Sequence, residues 1–248
     1  MKKIYILWLR QLKKYIRSKA RIAGTLFQPL LYLVAMGYGI GAIYQKAGEG
    51  NYMQFLVPGV VGMNIIFTSM FLGMEVIWDR QFGFLKETLV APMPRFNIML
   101  GRTLGSATIG AVQGFVVMLL SFIFGFRVMN WPALILSLFV MFLVAMLFTS
   151  LSTMIASILK DMQGFQAVMN FLIMPLFLLS GSLFPLQGLP KALEAVTIVN
   201  PLSYGIDALR ALLINQSHFG IGIDLAVLVA FTAVFLFLGG HFFKKIQI

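Results

Sequence analysis

Six stretches without one charged side chain, Ile22 to Gln45, Asn51 to Met74, Thr103 to Phe126, Ala133 to Leu159, Met162 to Pro190 and Leu225 to Phe243, occupy most of this chain. Each meets the roughly 17 to 25 residues that a membrane-crossing helix needs. A helix satisfies its own backbone hydrogen bonds, as hydrocarbon demands. A transmembrane barrel would instead alternate polar and apolar residues over about ten positions. These runs are apolar all round, so the expected fold is all-α integral membrane: six transmembrane helices in a single domain, residues 1–248. Composition agrees, with 60% apolar and 11% charged residues against about 45–50% and about 25% in soluble domains.

The placement of Lys and Arg sets the orientation. Lys2, Lys3, Arg10, Lys13, Lys14, Arg17, Lys19 and Arg21 precede the first span; Arg80, Lys86, Arg95 and Arg102 lie between the second and third; Lys160, Lys244 and Lys245 follow the fourth and sixth. With both termini cytoplasmic, all of these face inward and only Lys46, Arg127, Lys191 and Arg210 face outward, as the positive-inside bias requires. The net charge of +11 then reads as attraction to anionic lipid headgroups. Nucleic acid is excluded as a partner, because no basic and aromatic surface is left outside the bilayer. Residues 1–21 lack the apolar core and cleavage site of a signal peptide. Within them Ile4, Leu7, Trp8, Leu12 and Tyr15 recur at helical spacing, largely apart from the cations, which predicts an amphipathic helix lying in the headgroup plane.

Cysteine is absent, so there is no disulfide and no thiolate metal site. His218 and His241 fall at opposite faces of the membrane with no carboxylate cluster, so neither a metal centre nor catalytic residues are expected. No glycine is followed directly by lysine, and a phosphate-binding loop needs that pair. The chain is therefore not itself an ATPase and holds no cofactor. Glu75 and Arg102 stand near span ends, where they are expected to reach water, and no buried ionisable pair of the kind that couples transport to protons is expected.

Between the second and third spans, residues 79–95 read as one short charged amphipathic helix, stopped by Pro92 and Pro94. Phe82, Leu85 and Leu89 form an apolar face, Arg80, Lys86 and Glu87 offer charges to a docking surface, and Gly83 permits close backbone approach. The pattern Asp79-Arg80-x-x-Gly83-x-Leu85-Lys86-Glu87-x-Leu89-x-Ala91-Pro92 resembles the cytoplasmic signature of ABC-2 type permeases, the membrane subunits of a class of ATP-driven exporters. Leu179-Ser180-Gly181-Ser182-Leu183-Phe184-Pro185 with Leu189-Pro190 resembles the end of that family's fifth span. Asn200-Pro201-Leu202-Ser203-Tyr204-Gly205-Ile206-Asp207-Ala208-Leu209-Arg210 resembles its external helix before the sixth. The resemblance covers essentially the whole chain and is nearest to the drug-resistance and polysaccharide-export branches. It departs at Phe84, where many members carry a small or hydroxyl residue. It implies that Asp79, Arg80, Phe82, Gly83, Leu85, Lys86 and Glu87 belong to a coupling helix that docks on a separate ATPase subunit, the holder of ATP and Mg. A permease this short without a fused ATPase points to a prokaryotic inner membrane.

Residues 185–222 read as an external helical hairpin. Pro190 opens one short helix and Asn200-Pro201 caps a second, on which Asp207 and Arg210 are spaced to pair. Phe184, Pro185, Asn200, Pro201, Asp207 and Arg210 are the candidate external gate, either a lid or a plug. Inside the spans, Asn64 with Thr68 and Gln166 with Asn170 are polar pairs at i, i+4, and Phe67, Phe71, Phe171 and Met174 supply a soft apolar wall beside them. These residues mark a path between the second and fifth spans for an amphipathic, lipid-like or lipid-linked substrate. Six spans enclose a thin cavity, and a two-fold homodimer would face like helices across a central seam. That yields two permease chains with two ATPase copies; the alternative is a stand-alone channel or ion-coupled secondary transporter. Gln113 is expected to be structural, and the run Gly37-Tyr38-Gly39-Ile40-Gly41 to permit close packing or a bend.

Overall fold

A helix that is apolar on every side finds cover only against other helices or lipid. The computed structural model describes residues 2–46, 51–90, 93–185 and 190–246, and among these every regular element is helical. In order they are α1 (Lys2–Arg17), α2 (Lys19–Gly39), α3 (Gly41–Lys46), α4 (Tyr52–Leu72), α5 (Glu75–Gln81), α6 (Phe84–Val90), α7 (Arg95–Ser121) with a 3₁₀ turn after it, α8 (Leu134–Ile158), α9 (Met162–Leu178), α10 (Lys191–Val199), α11 (Pro201–Ile214) and α12 (Ile221–Lys244). Five are long and apolar enough to cross a membrane: α2, α4 continued through α5, α7, α8 and α12. α9 has 17 residues, about 25 Å at about 1.5 Å per residue.

α4 is the most enclosed, surrounded by α2, α7, α8, α9 and α11, while α12 lies on α7 and α8. Lipid-like surroundings give helices no hydrophobic reason to associate, so close packing relies on small residues. α7 shows this on two sides. A Cβ on Gly105 would stand 2.7 Å from Gln11 of α1, and one on Gly114 would stand 2.6 Å from Ile65 of α4.

Breaks in the helical ladder explain several polar side chains. Pro29 has no N–H to offer the Thr25 carbonyl one turn earlier, and Asn64 Nδ2 of α4 donates to that carbonyl at 2.9 Å. Between α4 and α5 the chain tightens, Met74 N bonding Phe71 O at 3.2 Å. Met70 O is released by this, and Ser152 Oγ of α8 donates to it.

Three expectations are corrected. The first run is not one unbroken helix to Gln45: α2 ends at Gly39 and α3 starts at Gly41, with a break at Ile40, and within the glycine-rich run Gly37 permits close packing, since a Cβ there would run into Met53 of α4. The fifth run stops at Leu178 instead of Pro190, because the chain turns over there with Gly181 at φ 72°. The face of α1 expected to dip into headgroups is covered by protein. Leu7 and Gln11 meet Gly101 and Gly105 of α7, and Trp8 Nε1 donates to Thr108 Oγ1 at 3.0 Å. Residues 91–92 and 186–189, which include Ala91, Pro92 and Leu189 of the sequence motifs, lie outside the described residues.

Candidate functional site

Residues 79–95 are not one helix. α5 prolongs α4, the chain turns at Phe82 and Gly83, and α6 begins at Phe84. Gly83 sits at φ 80°, the left-handed conformation that ends helices and that only glycine adopts without strain. No atom lies within 4 Å of where its Cβ would be. It is therefore backbone conformation, not close approach, that calls for glycine.

Because α5 is an extension of α4, Asp79 falls inside the bundle. It is 7% exposed and accepts from Arg102 Nη2 of α7 at 2.7 Å; the same nitrogen donates to the Glu75 carbonyl at 3.2 Å. Glu75 is gripped by Arg21 of α2 at 2.8 Å and Lys14 of α1 at 3.2 Å. The expectation that Glu75 and Arg102 reach water, with no buried pair, is thus overturned. A carboxylate removed from water is tolerable only when paired, and here two of them bind α5 to α1, α2 and α7. They stand near the end of the bundle where α1 packs, not at mid-span.

Leu85 is fully buried and Leu89 half-buried, while Phe82, 63% exposed, stands outside. The expected apolar face is therefore split: two leucines hold α6 down and the phenylalanine points away. Trp78, Phe84, Lys86 and Glu87 are exposed with it, and the Trp78 and Phe82 rings lie 5.4 Å apart, tilted by 33°. Arg80 is half-buried beside them. Arg10 of α1 donates to Thr88 Oγ1 at 3.4 Å. Arg95 Nη1 donates to the carbonyls of Lys244 and Ile246 at 2.8 and 2.9 Å, satisfying the open end of α12.

A cleft of about 200 Å³ opens between α2 and α4. Asn64, Phe67, Thr68 and Phe71 line it from α4, facing Arg21, Thr25 and Gln28 of α2. Asn64 is 3% exposed and its Oδ1 has no donor. Four of the eight residues expected along a path thus line one cleft, facing the first run and not the fifth. Gln166, Asn170, Phe171 and Met174 all face outward on α9, opposite Phe165, Met169, Ile173 and Phe177, which are buried. The proline at 175 also denies the Phe171 carbonyl its usual donor. Sequence reasoning missed Thr25 and Gln28, although Pro29 in the middle of an apolar run signalled a carbonyl in need of a partner. Gln113 accepts from Thr25 Oγ1 at 3.2 Å.

At the opposite end, α11 is buried along nearly its whole length. Asn200 caps it, accepting from Leu202 N at 3.0 Å and donating to Leu176 O of α9 at 2.7 Å. Asp207 and Arg210 do not pair with each other. Asp207 accepts from His218 N and Phe219 N at 2.8 Å, and Arg210 donates to Gly181 O at 2.7 Å while lying 3.8 Å from the centre of the Phe55 ring. Buried polar groups take whichever partner the surrounding wall supplies. Burial pulls the Arg210 guanidinium down to about 10, against the opposing effect of Asp207, so it stays charged at neutral pH. Pro201 is buried; Phe184 and Pro185 are exposed at the edge of the turn. Tyr52 donates to the Leu183 carbonyl at 2.8 Å, a tie that sequence patterns did not reveal.

The family model described as ABC-2 type transporter matches residues 2–214, from α1 through α11. The chain belongs to the ABC-2 type transporter family. The ABC-2 chain is 30% identical to a putative transport permease, ycf38, of Cyanophora paradoxa over 99% of its own length and 89% of that protein's. It is 28% identical to the inner membrane transport permease YadH of Escherichia coli, covering 92% and 90%, and 26% identical to nodulation protein J of Rhizobium meliloti, covering 91% and 86%. With five helices long and apolar enough to cross a membrane among the described residues, the chain is a multi-pass membrane protein and a transport subunit of that family.

Proposed function

We propose that this chain is the permease of an ABC exporter, six-spanning with both termini in the cytoplasm, and that it works as a homodimer with two copies of a separate ATPase subunit that holds ATP and Mg. The observation that carries this is the tip formed by α5 and α6. Its outer surface presents Trp78, Phe82, Phe84, Lys86 and Glu87, while its inner side is tied by ion pairs to three other helices. A push on such a tip moves α1, α2 and α7 with it instead of bending a loop.

Substrate would pass along the cleft between α2 and α4, closed from the other side by α9 of the second copy. Gln166, Asn170 and the Phe171 carbonyl make a poor face for lipid, since unsatisfied polar groups in hydrocarbon are costly. A facing protomer supplies the cover. Aromatic and methionine side chains with neutral polar groups suit an amphipathic, lipid-like or lipid-linked cargo. The inner leaflet of a prokaryotic cell membrane is its source. The lock made by Asn200, Arg210 and Tyr52 holds the outer end shut until the nucleotide-driven switch.

Reconstitution with its ATPase subunit tests the reading. Reversing Lys86 and Glu87 together should leave ATP hydrolysis and abolish ATP-driven export. Transport by this chain alone, driven by an ion gradient and indifferent to ATP, would reject the proposal in favour of a secondary transporter. Because the chain has no cysteine, Asn170→Cys should cross-link to its copy across the seam without background.

A further inference from the structure

α1 has three faces, and its packing on α7 uses only one. Tyr5, Leu9 and Ile16, at i, i+4 and i+11, form a second, apolar stripe; Tyr5 and Ile16 are 58% and 67% exposed. Lys2, Lys3, Arg10, Lys13, Lys14 and Arg17 form the third. An open groove of about 550 Å³ runs where the last two meet, lined by Ile6, Leu9, Arg10, Lys13, Lys14 and Arg17. No acidic side chain lines it. Among the described residues Lys13 and Arg17 pair with no carboxylate, and Lys14 leans away to Glu75 at 3.2 Å.

We propose that this groove seats the phosphate of an anionic phospholipid, its acyl chain lying along Tyr5, Leu9 and Ile16, and that the bound lipid tunes coupling through α1. Four cations beside an apolar stripe match a headgroup that carries both a charge and a chain. Two of the four also reach the tip: Arg10 touches Thr88 of α6 and Lys14 touches Glu75 of α5. A phosphate drawing on Lys14 leaves Glu75 to Arg21, so occupancy redistributes the ties that hold α5. The coupling arm of the proposal rests on the export reading above; the binding arm does not.

The test uses the full chain in nanodiscs of phosphatidylcholine doped with phosphatidylglycerol, with retained lipid counted by native mass spectrometry. Lys13→Gln with Arg17→Gln should lower phosphatidylglycerol retention roughly thirtyfold, while Lys244→Gln with Lys245→Gln, which removes equal charge elsewhere, should not. With the ATPase present, the first pair should also abolish stimulation of transport by phosphatidylglycerol. Equal loss in both pairs means diffuse charge attraction and overturns the site. Displacement by glycerol phosphate, which has no acyl chain, as readily as by phosphatidylglycerol points to a soluble phosphate and overturns the lipid. Selective retention in a preparation that shows no ATP-driven transport upholds the site and rejects the export reading instead.

Discussion

Replacing Asp79 with alanine separates a structural from a docking role for the residue that opens the signature motif. Arg102 is 5% exposed, and its Nε and Nη1 already lack partners. Without Asp79 the guanidinium keeps only the Glu75 carbonyl at 3.2 Å. Removing one partner of a buried pair costs about 3–5 kcal/mol, a large share of the roughly 5–15 kcal/mol that holds a typical domain together. At about 2–4 °C per kcal/mol for a chain of this size, the unfolding temperature should fall by roughly 6–20 °C. Arg102→Met alone should cost a similar amount. The double change Asp79→Leu with Arg102→Met should recover most of the loss, since apolar replacement of a whole buried pair is neutral or stabilising. Fluorescence-detected unfolding in detergent, at low and high salt, reads all three variants. A single Asp79→Ala shift within the experimental scatter, or a double variant as unstable as the sum of the singles, would refute the reasoning. So would an Asp79→Asn protein of unchanged stability that no longer binds its ATPase.

Gly83→Val should destabilise the tip by about 1–2 kcal/mol, the cost of a left-handed conformation for a side chain with a Cβ, whereas Gly83→Asn should stay close to the parent; thermal unfolding of the two distinguishes strain from steric exclusion. Arg210→Lys should cost about 2–3 kcal/mol despite keeping the charge, because an ammonium does not reproduce a planar guanidinium lying on Phe55 while bonding Gly181, and the loss should appear as a lower yield of monodisperse protein and a lower unfolding temperature. Asn64→Leu should cost about 1 kcal/mol, and less in a Pro29→Ala background, where residue 29 regains the N–H that serves the Thr25 carbonyl; a double-mutant cycle measures the difference.

Fold class was legible because runs of two dozen apolar residues leave a chain few alternatives. Where those helices end was not. The break at Ile40 and the early stop at Leu178 fall inside uncharged sequence; the glycines at 37, 39 and 41 and the run Ser180-Gly181-Ser182 mark both places, but they do not say at which residue the helix ends. Asp79 reads as surface because its neighbours Arg80 and Gln81 are polar; its partner Arg102 is 23 residues away along the chain and meets it only because α5 prolongs α4. On α9 the two faces were visible in the sequence, Gln166 with Asn170 opposed to Phe165 with Met169. Which of them turns toward α4 was settled by packing, since a densely apolar face buries more favourably than one carrying amides. Asn64 was legible as a polar position in an apolar span, and the reason for it was available too, in a proline on a different helix.

The glycine seams of α7 have a mechanical meaning. At Gly105 and Gly114 the side chains of Gln11 and Ile65 occupy the space that a Cβ of α7 would take. The spacing of α1 and α4 from α7 is therefore set by these two residues, and any side chain added at either must push a neighbouring helix outward.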